Sequence, residues 1–344
     1  MKVAIIGESY SGKSTLLRIL AGEHISKASG YFGGVGTFIL EDQRLIKLAE
    51  FYNPRKVTFV HVECFDFEGF GKMWRDERAG EIRQELVDFQ AFIHVLPFFG
   101  NVDPVSAFDS VDYKILLSDL EFVSRRLKTL EKEKRVHRVD EREVELLQRI
   151  EAWLSEEKPL FSMELTETDQ QIIRGYNFIS LKPQILIVNK DENRLGEELP
   201  ERIKKKIEER KSYYMETDLE LEEELSELSK EEIAQLMKEY GLKESVKNFL
   251  VNNILNALGM ITFFTVNERE ARAWVIPKAS TAKQAARKIH SDMERGFIRA
   301  EVIHFDDFMR AGSEKKAREM GLYKLEGKDY IVQDGDILFI RFSV

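Results

Sequence analysis

The stretch Val3-Ala-Ile-Ile6-Gly7-Glu-Ser-Tyr-Ser-Gly12-Lys13-Ser14-Thr15-Leu16-Leu17 decides the fold. It begins as an apolar run of strand length, and beyond it Leu16, Leu17, Ile19 and Leu20 recur with the period of an amphipathic helix over 13–21. Between the two, Gly7 to Ser14 match G-x-x-x-x-G-K-[ST] in full. A strand, a glycine-bounded turn and a helix in that order form a phosphate cradle. Glycine lets backbone N–H groups close around oxygens, and the helix N-terminus adds partial positive charge. Lys13 is expected to neutralise the β- and γ-phosphates of a nucleoside triphosphate, and the Ser14 hydroxyl to ligate Mg²⁺. Gly7, Ser11, Gly12, Lys13, Ser14 and Thr15 are the expected nucleotide-binding residues of the loop.

Such a loop needs an aspartate from a neighbouring strand. Residues 57–63 read as that strand, and Asp66-Phe67-Glu68-Gly69 after them reads as D-x-x-G. Asp66 is expected to hold Mg²⁺ through a bound water, and the Gly69 amide to touch the γ-phosphate. Lys13, Asp66 and Gly69 make the expected catalytic set, with Ser14 and Asp66 on the metal. Residues 91–96 and 184–188 are further apolar runs, and strands separated by helical stretches predict a parallel sheet covered on both faces. Asn189-Lys-Asp-Glu192 closes the last run, where a GTPase carries N-K-x-D to read guanine. Glu192 is one methylene longer than that aspartate and cannot hold the same bidentate geometry without a backbone shift. Asn189 and Glu192 are therefore expected at the base, with guanine selectivity expected to be weak.

The chain has 344 residues, 43% hydrophobic and 33% charged, so it can build two or three ordinary cores. A net charge of −9 excludes a uniformly basic coat, though not a local basic patch. The single cysteine, Cys64, excludes an internal disulfide, and no apolar run is long enough for a membrane span. A cytoplasmic, monomeric protein is expected. Residues 110–155 read as a helical hairpin, with Leu116, Leu120, Val123, Leu127 and Leu130 on one arm and Val144, Leu147, Ile150 and Leu154 on the other. A helical segment over 219–258, with a capping box at Ser229-x-x-Glu232, precedes short strands at 261–265, 273–276, 300–305, 330–332 and 337–342. The expected organisation is an α/β nucleotide-binding domain over 1–111 and 158–258, an inserted helical domain over 112–157 and a small α+β domain over 259–344.

The chain resembles the YchF subfamily of Obg-related P-loop NTPases. The resemblance is carried by Ile261-Thr-Phe-Phe-Thr265, Arg272-Ala-Trp274, Gln284-Ala-Ala286, Gly296-Phe-Ile-Arg-Ala-Glu301, Leu325-Glu-Gly-Lys-Asp-Tyr330 and Val332-Gln-Asp-Gly-Asp336. Upstream, Arg44-Leu45 with Lys47-Leu-Ala-Glu50, Leu116-Leu-Ser-Asp-Leu-Glu121 and Glu164-Leu-Thr166 agree with it. It implies a P-loop G domain, an inserted coiled-coil domain and a C-terminal β-grasp-like TGS domain. It also implies NTP hydrolysis, commonly with ATP favoured, and association with ribosomes. The family's altered base motif, N-x-x-E, is met by Asn189 and Glu192. Phe70 stands where many GTPases carry a water-positioning glutamine, and a phenyl ring cannot orient water by hydrogen bonding. Slow intrinsic turnover is expected unless a partner completes the site.

Three departures bear on function. Tyr10 replaces the family's usual loop asparagine, no clear switch threonine precedes Gly36, and Glu216-Thr-Asp218 lacks the lysine of an S-A-K-like loop. Tyr10, the missing switch threonine and Phe70 favour a second reading, a nucleotide-gated ribosome- or RNA-binding module with negligible hydrolysis, while the third departure weakens base choice. Between Arg125 and Arg138 there are seven Lys or Arg and two Glu. This stretch reads either as a prong for rRNA phosphates, acting alongside the TGS domain, or as a solvated helix face.

Overall fold

The computed structural model describes residues 1–22, 24–73, 79–134, 139–225 and 244–343. The expected capping box at Ser229 and Glu232 and the basic residues Arg135 and Arg138 lie outside them. The chain divides into two compact units, residues 1–38 with 63–249 and residues 39–62 with 250–344.

The first unit opens on β1 (Lys2–Ile6), α1 (Lys13–Ala21), β2 (Ile25–Ser26) and β3 (Phe32–Leu40). The second unit takes α2 (Gln43–Tyr52) and β4 (Lys56–Thr58). There follow β5 (Val60–Phe67), α3 (Gly69–Met73), α4 (Ala79–Leu86), β6 (Ala91–Phe98), α5 (Pro104–Glu133), α6 (Glu141–Ser155) and α7 (Glu167–Arg174). Then come β7 (Gln184–Lys190), α8 (Glu201–Arg210), β8 (Tyr213–Thr217) and α9 (Leu219–Leu225).

Seven strands form one sheet in the order β2-β3-β5-β1-β6-β7-β8. β1 pairs in parallel with β5 and β6, and β7 in parallel with β6 and β8. Every residue of β6 and β7 is buried, which is why these strands read as unbroken apolar runs rather than alternating ones. The register sets Ile5 beside Asp66 and Pro97 beside Asn189. The carboxyl ends of β1, β5 and β7 therefore deliver Gly7, Asp66 and Asn189 to one edge of the sheet, where open α/β sheets bind ligands.

The hairpin is α5 and α6. Asp103 caps α5 by accepting from Val105 and Ser106, and Pro104 stands at its first turn, where a missing N–H costs nothing. Leu116, Val123, Leu127 and Leu130 of α5 meet Leu147, Ile150 and Leu154 of α6 in one buried cluster. Among the described residues, no helix is long and apolar enough to cross a membrane.

The second unit is built on six strands in the order β12-β11-β13-β9-β10-β4. The new strands are β9 (Met260–Val266), β10 (Glu270–Pro277), β11 (Phe297–His304), β12 (Lys324–Glu326) and β13 (Asp336–Phe342). One face packs on α2 and on the helix Phe305–Ala311 through Leu45, Leu48, Phe264 and Phe308. The other face packs on the helix Ala282–Ile289 through Phe263, Ile276, Ala285 and Leu338. Trp274 is half-buried there, stacked on Phe263 with its indole N–H on Thr265 Oγ1 at 2.9 Å.

Two expected strands are corrected. The run 57–63 is not one strand: Lys56–Thr58 pairs with β10, whereas Glu63–Asp66 pairs with β1. Asp66 consequently lies inside β5 rather than after it. Residues 330–332 form no strand, since Ile331 makes an isolated bridge to Thr281 and the edge position is taken by Lys324–Glu326.

Candidate nucleotide site

Two glycines shape the loop for steric reasons. Gly7 has φ +150, and a β-carbon there would strike the Val95 carbonyl. Gly12 has φ +103, and a β-carbon there would strike the Asn189 amide. Both positions combine a left-handed backbone with a close approach, so no L side chain fits.

The loop borders a cavity of about 480 Å³ lined by Ser9, Tyr10, Lys13, Ser14, Asp66 and Glu68, among others. Lys13 is buried at the start of α1, and its ammonium donates to the Glu8 carbonyl at 2.8 Å. Burial pushes this ammonium below its ordinary value, against the pull of Asp66, Glu8 and Glu68. The Ser14 hydroxyl donates to Asp66 Oδ2 at 2.5 Å. A hydroxyl, a buried carboxylate and a lysine thus converge on one side of the cavity. The hydroxyl and the carboxylate fit a hard divalent cation that keeps most of its waters, and the ammonium fits phosphate oxygens.

Sequence reasoning did not anticipate the support around Glu8. Burial would raise this carboxyl, but hydrogen bonds from Lys114 and Ser110 hold it below its ordinary value. Lys114 reaches it from α5 at 2.7 Å. Glu68, an unassigned position of D-x-x-G, also lines the cavity. Gly33 on β3 leaves room for its carboxylate.

Asn189 is buried, and both ends of its amide are engaged. Nδ2 donates to the Ser11 carbonyl at 3.0 Å, and Oδ1 accepts from Leu219 N at 3.1 Å. The residue braces the phosphate loop against the β8–α9 turn. Lys190 is buried beside it, paired with Glu216 at 2.6 Å. Glu192 begins an exposed 3₁₀ turn capped by Asp191 and does not line this cavity. Gly7, Ser11 and Gly69 lie outside the lining as well, and Gly69 opens α3.

Phe70 is buried against Phe67, with ring centroids 5.0 Å apart, and turns its ring into the core rather than the cavity. Cys64 is fully buried, and burial pushes its thiol up, so it is no nucleophile at neutral pH. On the hairpin, Arg126 is tied to Glu143 at 2.9 Å and Lys134 to Glu141 at 3.7 Å, while Lys128 and Lys132 are exposed.

The family model YchF-GTPase_C, described as "Protein of unknown function (DUF933)", matches residues 260–343. The "Ribosome-binding ATPase YchF" of Haemophilus ducreyi is 32% identical over 361 residues, spanning 100% of this chain and 99% of that protein. The protein of the same name from Bacillus subtilis is 30% identical over 364 residues, spanning 100% of both. The solved structure of the Schizosaccharomyces pombe YchF GTPase superposes with a TM-score of 0.82 at 24% identity. It covers 99% of this chain and 97% of that one, and it establishes the shared fold.

Proposed function

The chain belongs to the YchF family of Obg-related P-loop NTPases, and from that premise we propose that it binds ATP with Mg²⁺ at the Gly7–Thr15 loop, hydrolyses it and works on the ribosome. GTP is the alternative nucleotide. The observation that carries the reading is the hydrogen bond from Ser14 to Asp66 beside the buried Lys13, in a cavity roomy enough for a polyphosphate. The names of the bacterial relatives support the ribosome as partner. The part of the protein facing the ribosome is proposed to be the exposed basic residues of α5 together with the TGS-like second unit.

Ser14 and Asp66 would hold the Mg²⁺, which would supply neutralisation of the phosphate charge. Lys13 and the backbone amides of residues 11–15 stabilise charge developing on the transferred phosphoryl group as water attacks in line. Gly69 contributes its amide on the γ side. No side chain of the cavity is needed as a strong base, because the transition state is loose. Phe70, buried in the core, does not position the water, so turnover without a partner is slow. The domain division at 112–157 and 259–344 is proposed along with this reading. It is supported by the α5–α6 hairpin and by the family model's span, with residues 39–62 and 250–258 joining the second unit.

Phosphate release from ATP, with and without ribosomes, tests the proposal against Lys13→Ala. Ribosome-stimulated release that the variant abolishes is the expected result. The buried Phe70 favours a second reading, a nucleotide-gated ribosome-binding module. That reading wins if turnover never exceeds the variant's while nucleotide still alters ribosome affinity.

A further inference from the structure

Tyr10 is the exceptional residue of the loop. Its backbone sits at φ +63, a conformation that a β-carbon disfavours and that glycine or asparagine adopts with less strain. Gly7 and Gly12 are glycines because neighbouring atoms leave no room for a side chain. No crowding of that kind explains a tyrosine at position 10. Its side chain is 97% exposed at the rim of the cavity, beside Ser9 and Gly12, and no described residue hydrogen-bonds to its hydroxyl. The ring buries no apolar surface and its backbone is strained, so the fold gains nothing from it. A strained residue that presents a bare aromatic ring at a ligand cavity points to a contact made only when the ligand is present.

We infer that Tyr10 retains the nucleotide, its ring folding over the phosphate and ribose portion of the bound molecule and slowing its escape. The inference rests on the nucleotide reading above. Tyr10 belongs to the loop that carries Lys13 and Ser14, whereas Glu192 stands on a separate turn after β7. The ring therefore meets the part of the molecule that ATP and GTP share, and retention is independent of the base. The covering surface is the ring itself, so phenylalanine serves as well as tyrosine.

Isothermal titration of the full chain with ATP, ADP and GTP in the presence of Mg²⁺, alongside stopped-flow dissociation, tests this on Tyr10→Gly, Tyr10→Phe and Lys13→Ala. Tyr10→Gly is expected to raise all three Kd values by about tenfold, the order expected when an aromatic ring's cover is removed, and to speed dissociation. The melting temperature of the nucleotide-free protein should hold or rise in Tyr10→Gly, because glycine relieves the backbone. Tyr10→Phe should stay within about twofold of the parent. Parent-like Kd values in Tyr10→Gly, with binding still abolished in Lys13→Ala, overturn the inference and leave the nucleotide reading standing. A loss in Tyr10→Phe equal to that in Tyr10→Gly also overturns it. A parent protein that binds none of the three overturns both.

Discussion

Lys114 of α5 donates to Glu8 of the phosphate loop at 2.7 Å, so the long arm of the hairpin is fastened to the loop by a nearly buried ion pair. The Glu8 carbonyl in turn accepts from Lys13. One continuous helix of 30 residues, Pro104–Glu133, is therefore tied to the loop through Lys114 in its first half.

Removing one partner should cost more than removing both. Lys114→Met strands a half-buried carboxylate and is expected to destabilise the protein by about 2 kcal/mol, with weaker ATP binding. Adding Glu8→Gln should recover most of that loss. A double-mutant cycle by urea denaturation checks it, with a coupling of about 1–2 kcal/mol expected.

Base choice should follow the acidic residue after β7. Glu192→Asp restores the N-K-x-D spacing and is expected to shift the ATP:GTP ratio of Kd values toward GTP by about tenfold, the order of one paired polar interaction. Titration of parent and variant with both nucleotides reads the ratio directly, and an unchanged ratio removes Glu192 from base recognition.

On the hairpin, ion pairing separates structural from available charge. Arg126 is held by Glu143 and Glu133, so its removal should loosen the hairpin. Lys128 and Lys132 are exposed on the same helix. Neutralising these two should weaken ribosome binding and lower the slope of log K against log salt by about 0.7–0.9 for each phosphate that a lysine had neutralised. Binding measured across a salt series is the check.

His94 sets an acid limb. It lies fully buried in β6, stacked on Phe108, and burial pushes its pKa down to about 3. The folded protein keeps the ring neutral, while the unfolded chain takes up a proton below about pH 6.5. Stability from this group is therefore complete above about pH 6.5 and falls as pH drops toward 3, by about 1.4 kcal/mol per unit. His94→Phe should flatten that part of the curve relative to the parent, as measured by denaturant melts between pH 4 and 7.

Some of the site was legible because its determinants are local. The apolar run 2–6, the glycines at 7 and 12 and the period of 13–21 act over a few residues, and the helix runs over Lys13–Ala21 as expected. Asp66 was legible by its order after the loop, although its strand was not. β-propensity over 57–63 cannot reveal that Thr58 pairs with Arg272, more than two hundred residues on, while Glu63 pairs with Lys2.

By itself the sequence determined the family, the phosphate cradle and the hairpin, since glycine conformation, capping and hydrophobic period are properties of short stretches. Tertiary structure alone decided that Lys114 supports Glu8, that Asn189 braces Ser11 and Leu219, and that Phe70 faces the core. It also decided which sheet residues 56–58 join. Each of these depends on partners that only packing brings within hydrogen-bond reach, and burial then fixes the pairings by making an unmet polar group costly.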